Sequence, residues 1–254
     1  MLKKAAVLVA SCGALLSGCG MDPQAENDQI VANLLKAGYP QSEILVVDGL
    51  VYAGRDAVVD LQASEEMLQT TGSEEQYRTT NLVNGGTKIC VNPTSTFNSF
   101  SRLSAGLDLA IANYNGLGLT ITFVRGPASG CTANITAQTT SGTGGSSGFP
   151  SGGKPYGTIN IGTGLQSYSN DVNEHVITHE IGHTIGFRHS DYYNRSISCG
   201  GAATNEGTAG VGAVLIPGTP STAVLGGSIM NSCFRSTETG EWTSSDITAL
   251  NALY

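Results

Sequence analysis

The sequence predicts an α+β fold, and three observations carry that prediction. Between positions 88 and 161, strand-like and helical runs follow one another as strand, helix, strand, strand and a last strand, with no internal repeat. Apolar residues make up 40% of the 254-residue chain at a mean hydropathy of zero, enough to close a core. Charged residues are only 13%, about half the usual ~25%, and the 34 glycines are about twice the common ~7% share, which suits a loop-rich extracellular protein. The glycines have no period of three, which excludes collagen. A net charge of −8 argues against a basic nucleic-acid face.

Taken in order, the chain opens with a cationic stretch at 1–4 and an apolar run of 12 residues at 5–16. That run is too short for a spanning helix of ~20 residues and reads as an export signal. Leu16-Ser17-Gly18-Cys19 resembles the bacterial lipobox, which implies cleavage after residue 18 and lipid on the Cys19 thiol. The alternative is an ordinary secretory signal in which Cys19 is incidental. Residues 20–78 hold 11 acidic and 3 basic residues, whereas 79–254 hold 9 and 7. This shift predicts a boundary and the organisation 1–18, 19–78 and 79–254.

Within the acidic segment, 21–28 reads as a polar tether. Ile30, Val31, Leu34 and Leu35 give 29–36 a helical spacing. Two apolar runs around Asp48-Gly49 predict a hairpin, and 63–77 is acidic and polar, a linker or cleavage zone. Beyond it come a strand at 88–91 and a helix at 97–113 with Phe100, Leu103, Leu107, Ala110 and Ile111 on one face. Strands are expected at 117–124, 131–138 and 157–161, with a Gly/Ser-rich loop at 140–153.

The segment 170–186 carries the chemistry. Asp171 with Glu174 three residues on predicts a capping box. His179 and His183, four apart, project from one helical face, and Glu180 lies beside them. Gly186 stops the helix and lets His189 swing back toward the other two imidazoles. Gly182 inside the helix predicts a close packing neighbour. Five fixed positions at about one in twenty each give roughly one chance match per few million windows, and three of the chain's 4 histidines fall on the pattern.

The run 179–191, HEIGHTIGFRHSD, resembles the bacterial dual-action HEIGH metallopeptidases, which are metzincins distantly similar to astacins and matrixins. The resemblance extends to Ile216-Pro217-Gly218-Thr219-Pro220, to Ser228-Ile229-Met230-Asn231 and to Trp242-Thr243-Ser244-Ser245-Asp246. It implies a metzincin fold: a twisted mixed sheet and two long helices above the cleft, with an irregular lower subdomain. It also implies one catalytic Zn2+ held by His179, His183 and His189, Glu180 as general base, and Met230 beneath the ligands. Astacins place a zinc-binding tyrosine where Ser232 stands, so that ligand is absent. Tyr192 and Tyr193 become candidate oxyanion stabilisers, and His175 is expected outside the ligand set. Cys12 lies in the signal, and four cysteines remain besides Cys19, with three possible connectivities. The resemblance favours Cys90–Cys131 and Cys199–Cys233.

The implied function is zinc-dependent hydrolysis of extracellular proteins or peptides by an endopeptidase made as a latent, lipid-anchored proenzyme. Its place would be the cell envelope, with the catalytic domain released on activation, and its substrates would bind at a strand edge within 156–161 or at the Gly-rich loop before it. No cysteine lies between 20 and 78, so no cysteine switch comes from there. Gly54-Arg55-Asp56 resembles the astacin Gly-Asp switch with one residue inserted, which makes Asp56 the expected zinc-blocking group, ahead of Asp48 and Asp60. The competing expectation is a non-catalytic, protein-binding surface lipoprotein on the same scaffold. An intact Glu180 favours the enzyme.

Overall fold

In a computed structural model, residues 22–68, 76–207 and 213–254 are described. The signal 1–18, Cys19 and part of the expected cleavage zone, 69–75, lie outside the described residues. The first helix, α1 (Pro23–Lys36), opens where the Asp22 side chain accepts from Gln24 N, with proline at the first helical position. Those local signals start the helix within the stretch expected to be a tether. Ile30 and Leu34 on α1 bury against the hairpin of β1 (Ile44–Val47) and β2 (Leu50–Ala53). Asp48 (φ 50) and Gly49 (φ 78) form the two-residue turn, both left-handed as the strand twist demands. β3 (Ala57–Val58) follows, and then α2 (Leu61–Glu66), capped by Asp60, whose side chain accepts from Ala63 N at 2.6 Å.

The body continues with β4 (Tyr77–Arg78), β5 (Lys88–Pro93), α3 (Ser95–Ser99) and α4 (Ser101–Gly116). The single helix expected at 97–113 is two, because Phe100 is extended (φ −94, ψ 100) between them. β6 (Thr122–Arg125) starts later than expected: Gly118 turns at φ 68, and Leu119 and Ile121 enter the core from irregular backbone. β7 (Ala133–Thr140), β8 (Gly145–Gly148) and β9 (Thr158–Gly162) complete the main sheet. β8 lies inside the expected Gly/Ser loop. Nothing in Gly-Ser-Ser-Gly favours a strand by propensity; its pairing with β9 makes it one. The chain ends through α5 (Asn170–Thr184), α6 (Ser196–Cys199), β10 (Val214–Leu215) and α7 (Ser244–Leu253).

The sheet order is β1-β2-β3-β8-β9-β7-β5-β6. β6, β5, β7 and β9 run parallel, and β8 runs antiparallel to β9. The N-terminal strands join by a parallel pairing of β3 with β8. Within residues 79–254 the last strand on this side is therefore β8, whose outer edge β3 covers; the segment 156–161 is interior, with β9 between β7 and β8. Helices α4 and α5 pack together, and Leu103, Leu107, Ile177 and Ile181 share one buried core with Ile89, Ile135 and Ile159 of the sheet. The N-terminal segment has a second core, whose members lie between Ile30 and Met67 except for Phe149. Below α5 the chain is mostly irregular. Cys199–Cys233 bridges this part, and Cys90–Cys131 links the β5 and β7 side of the sheet, both as expected.

Candidate active site

Helix α5 is buried along nearly its whole length, from Val172 to Thr184, so each polar side chain on it needs a partner. Its start differs from the expected capping box. Ser169 is the cap, accepting from Val172 N at 3.2 Å, because it stands two residues earlier with the side chain a cap requires. Glu174 instead accepts from Asn113 Nδ2 at 2.8 Å, across to α4. The helix ends as expected. Gly186 takes φ 112, and a Cβ there would stand 2.6 Å from Asn81 O. The N–H of Phe187 closes back on Gly182 O at 3.0 Å, and the chain turns to bring His189 under the helix.

Three imidazoles converge. His179 Nε2 lies 3.0 Å from His183 Nε2 and 3.2 Å from His189 Nε2. Each Nδ1 faces an oxygen: Ile229 O at 2.8 Å, Phe187 O at 2.7 Å and Glu206 Oε1 at 2.6 Å. A carbonyl only accepts, so His179 and His183 carry their proton on Nδ1 and turn a lone pair inward at Nε2. The nitrogen spacings approach the ~3.3 Å edge of a tetrahedron built with ~2.0–2.1 Å metal–nitrogen bonds. Asp56 completes the group: Oδ2 is 3.1 Å from His189 Nε2 and Oδ1 is 3.9 Å from His183 Nε2. That Oδ1 is buried and has no hydrogen-bond partner. The ligand atoms of Asp56, His179, His183 and His189 all lie within 4.8 Å of one another, a donor set that fits a divalent cation.

The charges in this pocket are strongly biased. Burial pushes His183 down to about 4, and burial with the neighbouring imidazoles holds His179 well below the ordinary range. For His189, burial also opposes charge, but Asp56 and Glu206 outweigh it and raise the imidazole to about 10. Burial would raise Asp56, yet the surrounding imidazoles, His189 first, hold its carboxyl below the usual carboxylate range. Glu180 is pushed well above its ordinary value by burial and by the Asp56 charge. Its carboxylate packs so closely on β8 that a Cβ at Gly145 would stand 2.4 Å from Glu180 Oε1. Beside it lies a cavity of about 290 Å³, lined by Thr143, Gly145, Val176, Ser232 and Phe234 among others.

Asp56 reaches the imidazoles from a tight turn. Gly54 and Arg55 both take positive φ, 62 and 80. The left-handed Arg55 is held by a paired contact with buried Glu43, at 3.0 and 2.9 Å. Backbone bonds tie the strand that follows along the outer edge of β8, among them Ser147 N donating to Asp56 O at 2.9 Å and Phe149 N to Val58 O at 3.2 Å. Arg195 Nη1 donates to Gly54 O at 2.7 Å. Asp60 is engaged in capping α2, and Asp48 sits in the hairpin turn.

Met230 lies beneath the site, where a Cβ at Gly182 would meet its sulfur at 2.7 Å, the close neighbour that glycine predicts. Asp246 at the start of α7 pins this turn by accepting from Ser228 Oγ at 2.5 Å and Ile229 N at 3.0 Å. Ser232 donates to Asp191 Oδ1 at 2.7 Å and holds no ligand position. His175 is buried beside Glu238, at 3.9 Å, outside the ligand group. Tyr192 packs edge-on against Tyr77, and the Tyr193 hydroxyl accepts from Ala223 N at 2.9 Å. Neither tyrosine lines the cavity beside Glu180, so this geometry lends the oxyanion role no support. Glu206 was not among the expected site residues. It follows His189 by 17 positions in an irregular stretch, with no motif to mark it.

The fold and the site together define a metzincin-like metallopeptidase. The chain belongs to the dual-action HEIGH metallopeptidase family, whose model matches residues 51–254. Two solved structures of myroilysin are similar to it. One is 16% identical, covering 68% of this chain and 86% of that one; the other is 15% identical, covering 83% and 93%. Both have a TM-score of 0.41. No curated protein matches.

Proposed function

We propose that the protein is a zinc-dependent endopeptidase made as a latent, lipid-anchored proenzyme, and that Asp56 is the group that keeps it latent. The observation that carries the proposal is the closure of the site: three imidazole nitrogens face one point, and the remaining side is taken by the carboxylate of a segment lying along β8. His179, His183 and His189 would hold the ion. Zinc bound there supplies Lewis-acid polarisation of the scissile carbonyl and acidifies a water. Glu180 takes the water's proton on its carboxylate and returns it to the leaving amine. Departure of Asp56 removes the negative charge that, after burial, raises the Glu180 carboxyl, which favours its use as a base. The N–H groups of Ser147 and Phe149, freed from β3, then offer a substrate chain the edge of β8.

Activation calls for a cut before residue 76. Gln76 O accepts from Ile216 N at 2.8 Å, Tyr77 O from Arg188 N at 2.8 Å, and β4 pairs with β10, so 76–78 are woven into the body. The cut therefore falls between 68 and 76, slightly earlier than composition suggests, and it separates the catalytic body from Cys19 and its lipid. Activated protein should contain one zinc per chain and cleave unstructured polypeptides, and chelator should abolish the cleavage. Glu180→Gln should keep the metal and lose the cleavage. Metal-loaded, matured wild-type protein with no hydrolysis of any peptide library would instead favour the non-catalytic binding protein.

A further inference from the structure

The β1–β2 hairpin is apolar on both faces. In its register Ile44 stands opposite Ala53 and Val46 opposite Val51, and Ile44, Val51 and Ala53 turn into the N-terminal core. The other face carries Leu45, Val47, Leu50 and Tyr52, and the polar Asp48-Gly49 turn only links its two strands. Leu45 is 39% exposed, Val47 49% and Leu50 45%, and β1 is the outermost strand of the sheet. A surface hairpin normally alternates apolar with polar residues, and an unbroken apolar face marks a surface that something else covers.

The path of the chain says what that is. Asn27 Nδ2 donates to Gly49 O at 3.2 Å, which fastens the hairpin turn beside the second turn of α1. From Asn27 back to the Asp22 cap is about 8 Å of helix rise. Cys19 stands three residues before Asp22, about 11 Å of chain at full stretch. A lipid on Cys19 therefore enters the bilayer within reach of the apolar strand residues that flank this turn.

We propose that the tip of this hairpin seats in the membrane that anchors Cys19, with Leu45, Val47 and Leu50 entering the boundary between headgroups and acyl chains. The inference rests on the reading of Cys19 as a lipid site and is independent of the peptidase reading. A lipid on Cys19 holds the chain at a single point, so a second, apolar contact orients the attachment. The contact is apolar and not electrostatic, because residues 20–78 carry 11 acidic and 3 basic residues. The preferred surface is accordingly zwitterionic.

The test uses the mature chain from residue 19 with Cys19→Ser, which carries neither the lipid nor the apolar run at 5–16, and flotation with phosphatidylcholine vesicles. The Cys19→Ser protein should float to an extent that salt does not change, and anionic phosphatidylglycerol should weaken it. Adding Leu45→Thr, Val47→Thr and Leu50→Thr should lower vesicle partitioning by about tenfold or more. Threonine suits an exposed strand position, so the hairpin is retained. As a second reading, Val47→Trp emission should shift to the blue on adding vesicles. Equal flotation with and without the three threonines overturns the proposal, as does failure of the Cys19→Ser protein to float. A blue shift that follows protein concentration without vesicles also overturns it, in favour of a second copy of the chain. Mass analysis of the wild-type N-terminus reports the lipid itself, so failure of that premise is seen separately.

Discussion

Glu206 Oε1 stands 2.6 Å from His189 Nδ1, the shortest of the three contacts that aim the imidazoles. The carboxylate is fully buried, and burial alone would raise it above its ordinary value. His189, Arg188 and Arg195 reverse that and hold it below its ordinary value, with Arg195 Nη1 at 2.5 Å and Arg188 Nη2 at 3.5 Å. A charged acceptor behind a ligand imidazole fixes the ring and strengthens the nitrogen on its far side. Glu206→Gln keeps the shape and removes the charge. Zinc affinity, measured by competition with a chromogenic chelator, should fall about 10–100-fold. A change smaller than about twofold would mean that His189 is oriented without it.

Packing under the helix makes a second prediction. Gly182 leaves room for the Met230 sulfur, which would stand 2.7 Å from an added Cβ. Gly182→Ala gains helix propensity but overpacks the site, a net cost of about 1–3 kcal/mol. In a chain of this size each kcal/mol lowers the melting temperature by roughly 2–4 °C. Met230→Ala in the same chain makes space for the methyl group, so calorimetry should show the two costs to be less than additive.

The legible parts of the molecule are those that local rules control. The His179–His189 pattern fixes helix period, a glycine stop and three ligand-capable side chains within a dozen residues, and the structure brings those side chains together. The hairpin turn was equally plain, because Asp48-Gly49 is itself a left-handed pair. What escaped was set by distant partners. β8 is a strand because β9 and β3 pair with it, although Gly-Ser-Ser-Gly has no strand propensity. Glu206 serves His189 from an irregular stretch, and Asp246 serves the Met230 turn from α7. The capping-box reading failed because Ser169 offers a nearer cap, which leaves Glu174 free to reach α4.

Glu174 makes stability depend on pH. Burial, with Glu241 and Asp171 nearby, raises its carboxyl from 4.5 to about 7. The folded protein therefore prefers the neutral acid. That preference stabilises fully below the unfolded value near 4.5 and is lost as pH rises through about 7. Glu174→Gln retains an oxygen for Asn113 Nδ2 and cannot ionise. Wild type and variant should unfold alike at pH 4, and the variant should unfold at the higher temperature at pH 8. A variant less stable than wild type at pH 8 would show that the ionised carboxylate is the form the fold prefers.

The proposed latency turns on three successive residues. Gly54 takes φ 62 with no room for a side chain, since a Cβ would stand 2.9 Å from Glu206 Oε2. Arg55 takes φ 80 and is compensated by Glu43. Together they aim Asp56 at His189 and His183. Asp56→Ala removes the buried charge but leaves the backbone bonds between β3 and β8. The uncut chain should then bind substrate poorly yet leave the metal accessible, and its initial rate on a quenched peptide should rise at least about tenfold over the uncut wild type, in line with losing one partner of a buried charge pair. Gly54→Ala should act in the same direction by displacing the turn, with Asp56 intact. Electrophoresis of the same samples must show the chain uncut during the assay. An Asp56→Ala chain as silent as wild type would mean that coverage of the β8 edge alone suffices, and that the carboxylate beside the imidazoles adds nothing to restraint.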